Sequence, residues 1–329
     1  MVSTRKKIVN AVAVSCFTFS AAYLTLSASE KSKPPNFGAF PLLAGSKSVN
    51  LLNRNLTLYQ YESCPFCRKV RGALDFAKLP YKIVEVHPLT KSETKPFAKD
   101  YGKVPVLTVG GSEESLNFQL RDSSKIVEAI LSSSGRDSLP CAKSVTAPIQ
   151  SKPATEKKWK EEPEIADEWV RWTDGYLVQV IVVNIYRNAK ESQQTFDYLL
   201  THKSFSFFSK WAVYWSGTVV MTLVAGSRRA KLGINKGEER EALYEAIKMF
   251  IKSLHGNKFL GGSTPNKADL NVFGVMRSIE GFDSQKDLFA NVPEFRTWYN
   301  DMIAAVGPSM AVDHENAGQR GDQILLRSC

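Results

Sequence analysis

Cysteine is scarce in this chain, with five in 329 residues: Cys16, Cys64, Cys67, Cys141 and Cys329. Thiols spread so thinly do not make a disulfide framework, and they suit a reducing compartment. Histidine is scarcer still; His87, His202, His255 and His314 each stand alone and read as structural or surface residues. A finger-type zinc site needs a second CxxC or a histidine pair, and neither exists. No RNA-binding signature occurs. The formal charge is +10, but the 43 lysines and arginines are spread along the whole chain rather than gathered in a stripe. Nucleic acid is therefore not expected as a partner. Acidic residues are absent before Glu30.

That last absence marks the amino terminus as a segment apart. Arg5, Lys6 and Lys7 precede a run without charge from Ile8 to Ala28. At 1.5 Å per residue such a run spans roughly 30 Å, the hydrocarbon thickness of a bilayer. Residues 1–33 can be a single-pass anchor or a cleaved organelle presequence; a secretory signal peptide fits less well with a surviving CxxC. The expected location is a membrane, of the Golgi, endoplasmic reticulum or mitochondrion. Residues 34–53, rich in Pro, Gly, Ser and Asn, read as a tether.

Composition is otherwise that of a globular protein, 43% hydrophobic and 23% charged, and long enough for two domains. Within 54–134, "LTLYQY" reads as a strand and Pro65 opens a helix that ends before Pro80. Strands follow at Tyr81–Val86, Val104–Val109 and about Leu116–Leu120, then a helix capped by Asp122. Strand, helix, three strands, helix is a thioredoxin-type α/β layout. After a polar linker (135–162), residues 163–306 read as all-α, and 307–329 as a disordered tail. Helices are expected from about Pro163 onward through "EWVRWTDGYLVQVIVV", near Gln193–Leu200, Phe208–Gly226, Glu238–Leu254, Lys267–Ile279 and Pro293–Ala305. The stretch Trp211–Gly226 is apolar all round. It is expected to be a buried central helix, with a membrane-contacting surface as the sharper alternative. Asn266 and Asp269 are spaced for a capping box, which serves folding rather than chemistry.

The thioredoxin layout explains "ESCPFCRK". Cys64 falls just ahead of a helix, where unpaired N–H groups and the helix dipole favour a thiolate and lower the thiol pKa. Arg68 and Lys69 are expected to add positive charge. Cys67, one turn further in, is placed to resolve a mixed disulfide. Pro105, expected in a cis peptide, presents the Val104 backbone to a peptide-like ligand. Ser123 and its helix N-terminus offer donors to a carboxylate. A short thiol peptide with an acidic end fits this set, and glutathione is one.

The ordered set "YQYESCPFCRKVRGALDF", "KVPVLTV", "DSS" and "GGSTPNKADLNVFGVMRSIEG" resembles the membrane-associated prostaglandin E synthase type 2 family over about Leu56–Ala305. The resemblance implies a glutaredoxin-like domain joined to a glutathione S-transferase-like helical domain, in a homodimer. It implies isomerisation of a lipid endoperoxide, prostaglandin H2, to prostaglandin E2. Tyr61, Cys64 and Cys67 are implied as catalytic, and Val104, Pro105, Asp122 and Ser123 as glutathione contacts. Haem is a further implied cofactor, but Gln179 stands where a histidine is expected, which counts against it. The alternative is a glutathione-dependent oxidoreductase or transferase with other substrates.

Overall fold

The computed structural model describes residues 49–110, 117–135, 166–201 and 207–312. The hydrophobic segment 1–33, most of the tether and of the polar linker, and Cys16, Cys141 and Cys329 lie outside the described residues, as do His202 and His314.

The first half runs β1 (Asn55–Gln60), α1 (Pro65–Ala77), β2 (Tyr81–Glu85), β3 (Val106–Gly110), β4 (Phe118–Arg121) and α2 (Ser123–Ser133). The sheet order is β2-β1-β3-β4. Strand β2 lies parallel to β1, with Gln60 opposite Glu85, and β3 lies antiparallel to β1. Alternation along β1 divides its side chains between two faces. Leu56 and Leu58 join the main core with Val70 and Leu74 of α1 and Ile126 and Ile130 of α2. Tyr59 instead meets Val86 and Val106 in a separate cluster, with Tyr61, Phe97, Tyr101 and Val104 packed on it.

Pro65 occupies the first helical position of α1, where its missing N–H leaves nothing unpaired. Lys78 ends the helix in a left-handed conformation (φ 58°), its N–H directed to the Asp75 and Leu74 carbonyls.

The second half is helical: α3 (Ala166–Trp172), a π turn (Thr173–Leu177), α4 (Val178–Ile185), α5 (Ala189–Thr201), α6 (Phe207–Lys231), α7 (Glu239–Lys252), α8 (Lys267–Met276) with a 3-10 turn (Arg277–Ile279), α9 (Asp283–Asn291) and α10 (Pro293–Val306). Three departures from the sequence reading have physical causes. The helix expected through "WTDGYLVQ" widens at Thr173–Leu177, which directs Asp174 toward Lys69 of α1. Helix α9 was not expected, because it buries only Ser284 and Leu288 and carries no apolar stripe. The stretch 307–329 is not disordered throughout: Met310 and Val312 exchange backbone hydrogen bonds with Tyr81 at the edge of β2.

The expectation of a buried helix at Trp211–Gly226 is overturned. Helix α6 buries Ser209, Val213, Thr218 and Ala225, and exposes Phe207, Phe208, Trp211, Trp215, Val219 and Leu223. The small residues face α5, where Thr222 hydrogen-bonds Ser192 (2.8 Å) and a Cβ on Gly217 would stand 2.8 Å from the Phe196 ring. Close approach on the small side leaves the large side outward.

The two halves meet where α1 crosses α8. Gly72 faces Gly274, and a Cβ on Gly274 would stand 2.5 Å from the Lys69 Cα. Backbone cannot swing aside as a side chain can. Gly274→Ala is expected to cost about 1–3 kcal/mol, read as a lower urea midpoint. An unchanged midpoint would show that the crossing has slack.

Candidate functional site

Cys64 is the N-cap of α1, and its carbonyl accepts from the Cys67 N–H (3.1 Å) and the Arg68 N–H (3.0 Å). Its own N–H donates to the Tyr61 carbonyl (3.1 Å), which folds the loop Tyr61–Cys64 into a turn. Both thiols are free. The Cys64 thiol is held below its ordinary pKa, chiefly by a hydrogen bond from the Cys67 thiol and then, against the cost of burial, by the N–H groups of Cys67 and Phe66. Cys67 is pushed well above its ordinary value by burial, by that same bond and by the Cys64 charge. One sulfur is thus poised as thiolate and the other as its proton donor.

The positive charge expected from Arg68 and Lys69 does not contribute. Lys69 is 1% exposed and donates to both Asp174 oxygens (2.7 and 2.9 Å) and to Ser124 (3.0 Å). Arg68 is buried and paired with Glu62, donating also to the Glu62 carbonyl (2.8 Å). Both cations are spent tying α1 to its surroundings. Backbone N–H groups and Cys67 supply what acidifies Cys64.

Tyr61 is half-buried beside the thiols, and burial, Cys67 and Cys64 raise its pKa, so its phenol stays protonated. Val104 packs in the same cluster as Tyr61, and the Val104–Pro105 peptide is cis. Asp122 adopts φ 76°, unusual for a residue with a side chain, and its carboxylate accepts from the Ser124 N–H (2.9 Å) and the Lys125 N–H (3.4 Å). Two of the N–H groups expected to meet a ligand carboxylate are therefore already capped. Ser123 keeps its hydroxyl and N–H without a partner among the described residues.

Four further residues at the site went unnoticed in the sequence. Tyr186, buried at the end of α4, feels the Cys64 charge. Tyr101 feels Cys67 and hydrogen-bonds the Asp122 backbone, which links the thiols to the α2 N-terminus. Glu85, buried, accepts from the Glu62 N–H (2.7 Å) and the Gln60 amide (3.3 Å). Tyr198 of α5 hydrogen-bonds the same carboxyl. Helical-half residues thus complete the site built by the α/β half.

A haem does not fit the residues present. The Gln179 amide oxygen accepts from the Arg228 guanidinium, and its neighbours Val182 and Val183 are buried without polar atoms to offer. His87 has Nδ1 on the Leu89 and Thr90 N–H groups (3.2 Å each) and Nε2 against Ser209. Its ring is already committed on both sides. An open cleft of about 460 Å³, lined by Phe76, Phe259, Pro265 and Asp301, sits at the other end of α1 from the thiols and does not belong to the site.

Comparison with known proteins bears on the family and on the two-domain layout. The glutathione S-transferase N-terminal domain family matches residues 58–137, and the glutathione S-transferase C-terminal domain family matches 216–305. Prostaglandin E synthase 2 of Danio rerio is 35% identical over 276 residues, which are 76% of this chain and 71% of that protein. Prostaglandin E synthase 2 of Mus musculus is 31% identical over 285 residues, 79% of this chain and 73% of that one. A solved glutathione S-transferase from Xanthobacter autotrophicus superposes with a TM-score of 0.44 at 16% identity, over 82% of this chain and all of that one.

Proposed function

We propose the function that follows from one premise: this chain belongs to the prostaglandin E synthase type 2 family. It is a glutathione-dependent enzyme of glutathione S-transferase-like fold, and it isomerises prostaglandin H2 to prostaglandin E2. The observation that carries this reading is the thiol at the N-cap of α1, acidified by the Cys67 S–H and two backbone N–H groups. The Cys64 thiolate, or the thiolate of glutathione held beside it, attacks one endoperoxide oxygen and the O–O bond breaks. A base removes the ring C–H proton, the carbonyl forms, and the S–O bond breaks to return the thiolate. The second oxygen leaves as an alkoxide and takes a proton; the Tyr61 phenol, kept protonated beside the thiols, is the donor at hand. Glutathione lies along Val104–Pro105 with a carboxylate at Ser123.

The pairing of Cys64 with a protonated Cys67 also favours a second reading, a dithiol oxidoreductase acting on glutathione mixed disulfides. Product analysis separates the two. Purified enzyme with prostaglandin H2 and glutathione should give prostaglandin E2 well above the uncatalysed rate. No excess product, with normal reduction of mixed disulfides, would leave only the second reading.

The reading takes the enzyme to a membrane through α6. No helix of the described residues is long and apolar enough to cross one. The exposed face of α6 nevertheless carries Phe208, Trp211, Trp215 and Leu223; the helix has no acidic residue and ends in Arg228, Arg229 and Lys231. That charge complements an anionic bilayer surface, and aromatic side chains suit its interface. The protein should float with phosphatidylserine vesicles, and serine at both Trp211 and Trp215 should abolish flotation of residues 39–329. Burial of both tryptophans in a second copy of the chain, with no vesicle binding, would overturn this.

A further inference from the structure

We infer that Glu85 holds the proton that the buried Cys67 thiol gives up and takes back, so that it acts on the site through Cys67 rather than on the substrate. The inference rests on the reading of Cys64 as nucleophile. Charge balance around α1 motivates it. Helix α1 buries Arg68 and Arg71, and the 3-10 turn after α8 buries Arg277; facing them are the buried carboxylates Glu62, Asp75 and Glu280. Arg68 pairs with Glu62 (3.4 Å), and Arg277 with Asp75 (3.1 Å) and Glu280 (3.2 Å). With Lys69, also buried in α1, set against Asp174 (2.7 Å), the other three cations and three carboxylates cancel. Glu85, 4% exposed, is a fourth carboxylate, and among the described residues no cation pairs with it.

A lone buried carboxylate lowers its cost by keeping its proton. Burial and the nearby Glu62 charge push Glu85 up to about 8. The groups facing it are Glu62 and Tyr61 of the loop, Cys67 of α1 with Cys64 and Arg68 beside it, and Tyr198 of α5; Glu93 acts on Tyr61 rather than on Glu85. Its charge is felt by both Cys67 and Tyr61. On the far side of Glu62 and Tyr198, which both hydrogen-bond Glu85, lies a cavity of about 10 Å³ lined by Glu62, Ser63, Arg68 and Tyr198. That volume is about one water, and Glu62 Oε2 and Arg68 Nη1 are buried there without partners, the atoms such a water would satisfy.

The step balances as follows. Once the Cys64 thiolate has become a mixed disulfide with glutathione, its negative charge is gone and the Cys67 thiol gives up its proton more readily. The Glu85 carboxylate takes the proton of the Cys67 thiol. The Cys67 sulfur attacks the Cys64 sulfur, the bond from Cys64 to the glutathione sulfur breaks, and glutathione leaves as a thiolate that takes a proton from water. Cys64 and Cys67 end as a disulfide, oxidised by two electrons, and glutathione ends reduced.

The test uses the full chain, loaded at Cys64 from oxidised glutathione at low pH and then jumped to a series of pH values, with glutathione release followed in time. In the wild-type protein the release rate should rise with an inflection near pH 8. Glu85→Gln should lose the inflection and release about 100-fold more slowly at pH 7.5, and Glu85→Asp, which still titrates, should restore an inflection. Misfolding is not the expected cause. The folded chain holds this proton up to about pH 8 while an ordinary glutamate releases it near 4.5, so wild-type stability falls as pH rises between those values. Glu85→Gln lacks that slope and should fold at least as well at pH 7.5. The same pH profile in wild type and Glu85→Gln, with Cys64 alkylated by iodoacetamide at pH 7 in both, would overturn this inference alone. Failure of Cys64 to alkylate in either protein would instead overturn the proposed function.

Discussion

With Cys64 itself as the nucleophile, Cys64→Ser is expected to lower turnover by at least about 10³-fold whichever substrate the enzyme takes. A serine hydroxyl at the N-cap of α1 meets the same N–H groups, but its pKa starts so far above that of a thiol that no neutral-pH alkoxide forms. Cys67→Ser separates the two chemistries. A monothiol isomerase needs only the first sulfur, so prostaglandin E2 formation should persist; a dithiol reductase needs the second and should fall to background. Replacing Cys67 also carries a pH signature. The largest influence lowering the Cys64 pKa is the hydrogen bond from Cys67; serine can still donate one, whereas Cys67→Ala removes the donor. In Cys67→Ala the Cys64 pKa should therefore rise, and the pH profile of iodoacetamide alkylation should move to higher pH, with reactivity lost first on the acid side. Turnover that survives Cys64→Ser, or an alkylation profile unmoved by Cys67→Ala, would sink this account of the thiolate.

The reading of Cys64 came from purely local information: a strand, a CxxC, and a proline that starts a helix. The backbone around that proline, and with it the place of both thiols, is legible locally. What the sequence hid was where the ends of long side chains go. Arg68 and Lys69 follow the cysteines closely, and proximity in sequence suggested proximity in charge. Lys69 instead meets Asp174, 105 residues away, in the π turn that interrupts the expected helix. No spacing rule reveals such a partner. Glu85 was more accessible than it looked. Along β2, Tyr81, Ile83 and Glu85 alternate onto one face, and all three are buried. A carboxylate in phase with core residues is a signal that pattern reading can use. Helix α6 misled for the opposite reason. An apolar run states that water is unfavourable around it, but which side faces the protein depends on the small residues Gly217 and Thr222 that let α5 come close.

Asp269→Ala is expected to produce the largest loss of stability, about 3–5 kcal/mol, a substantial part of the 5–15 kcal/mol that ordinarily separates folded from unfolded. Asn266 and Asp269 form the capping box that their spacing indicated: Asn266 Oδ1 accepts from the Ala268 N–H (2.8 Å) and the Asp269 N–H (3.1 Å), and Asp269 Oδ2 accepts from the Asn266 N–H (3.0 Å). The structure adds two bonds that spacing does not show. The carboxylate also takes the Leu260 N–H (2.9 Å) and the Gly261 N–H (3.1 Å), and Asp269 is fully buried. Alanine leaves three N–H donors facing a void too enclosed for easy hydration, so the cost exceeds that of an exposed cap. Asp269→Asn keeps one acceptor oxygen but turns an amide NH2 toward the remaining donors, and should fall between the two. Urea denaturation measures the series, and a change under 1 kcal/mol for alanine would show that water replaces the carboxylate. Because α8 carries Gly274 against α1, the loss reaches the helix that bears the thiols. The Asp269→Ala protein that remains folded should still alkylate at Cys64 at the wild-type rate, since the donors to that sulfur lie within the first turn of α1.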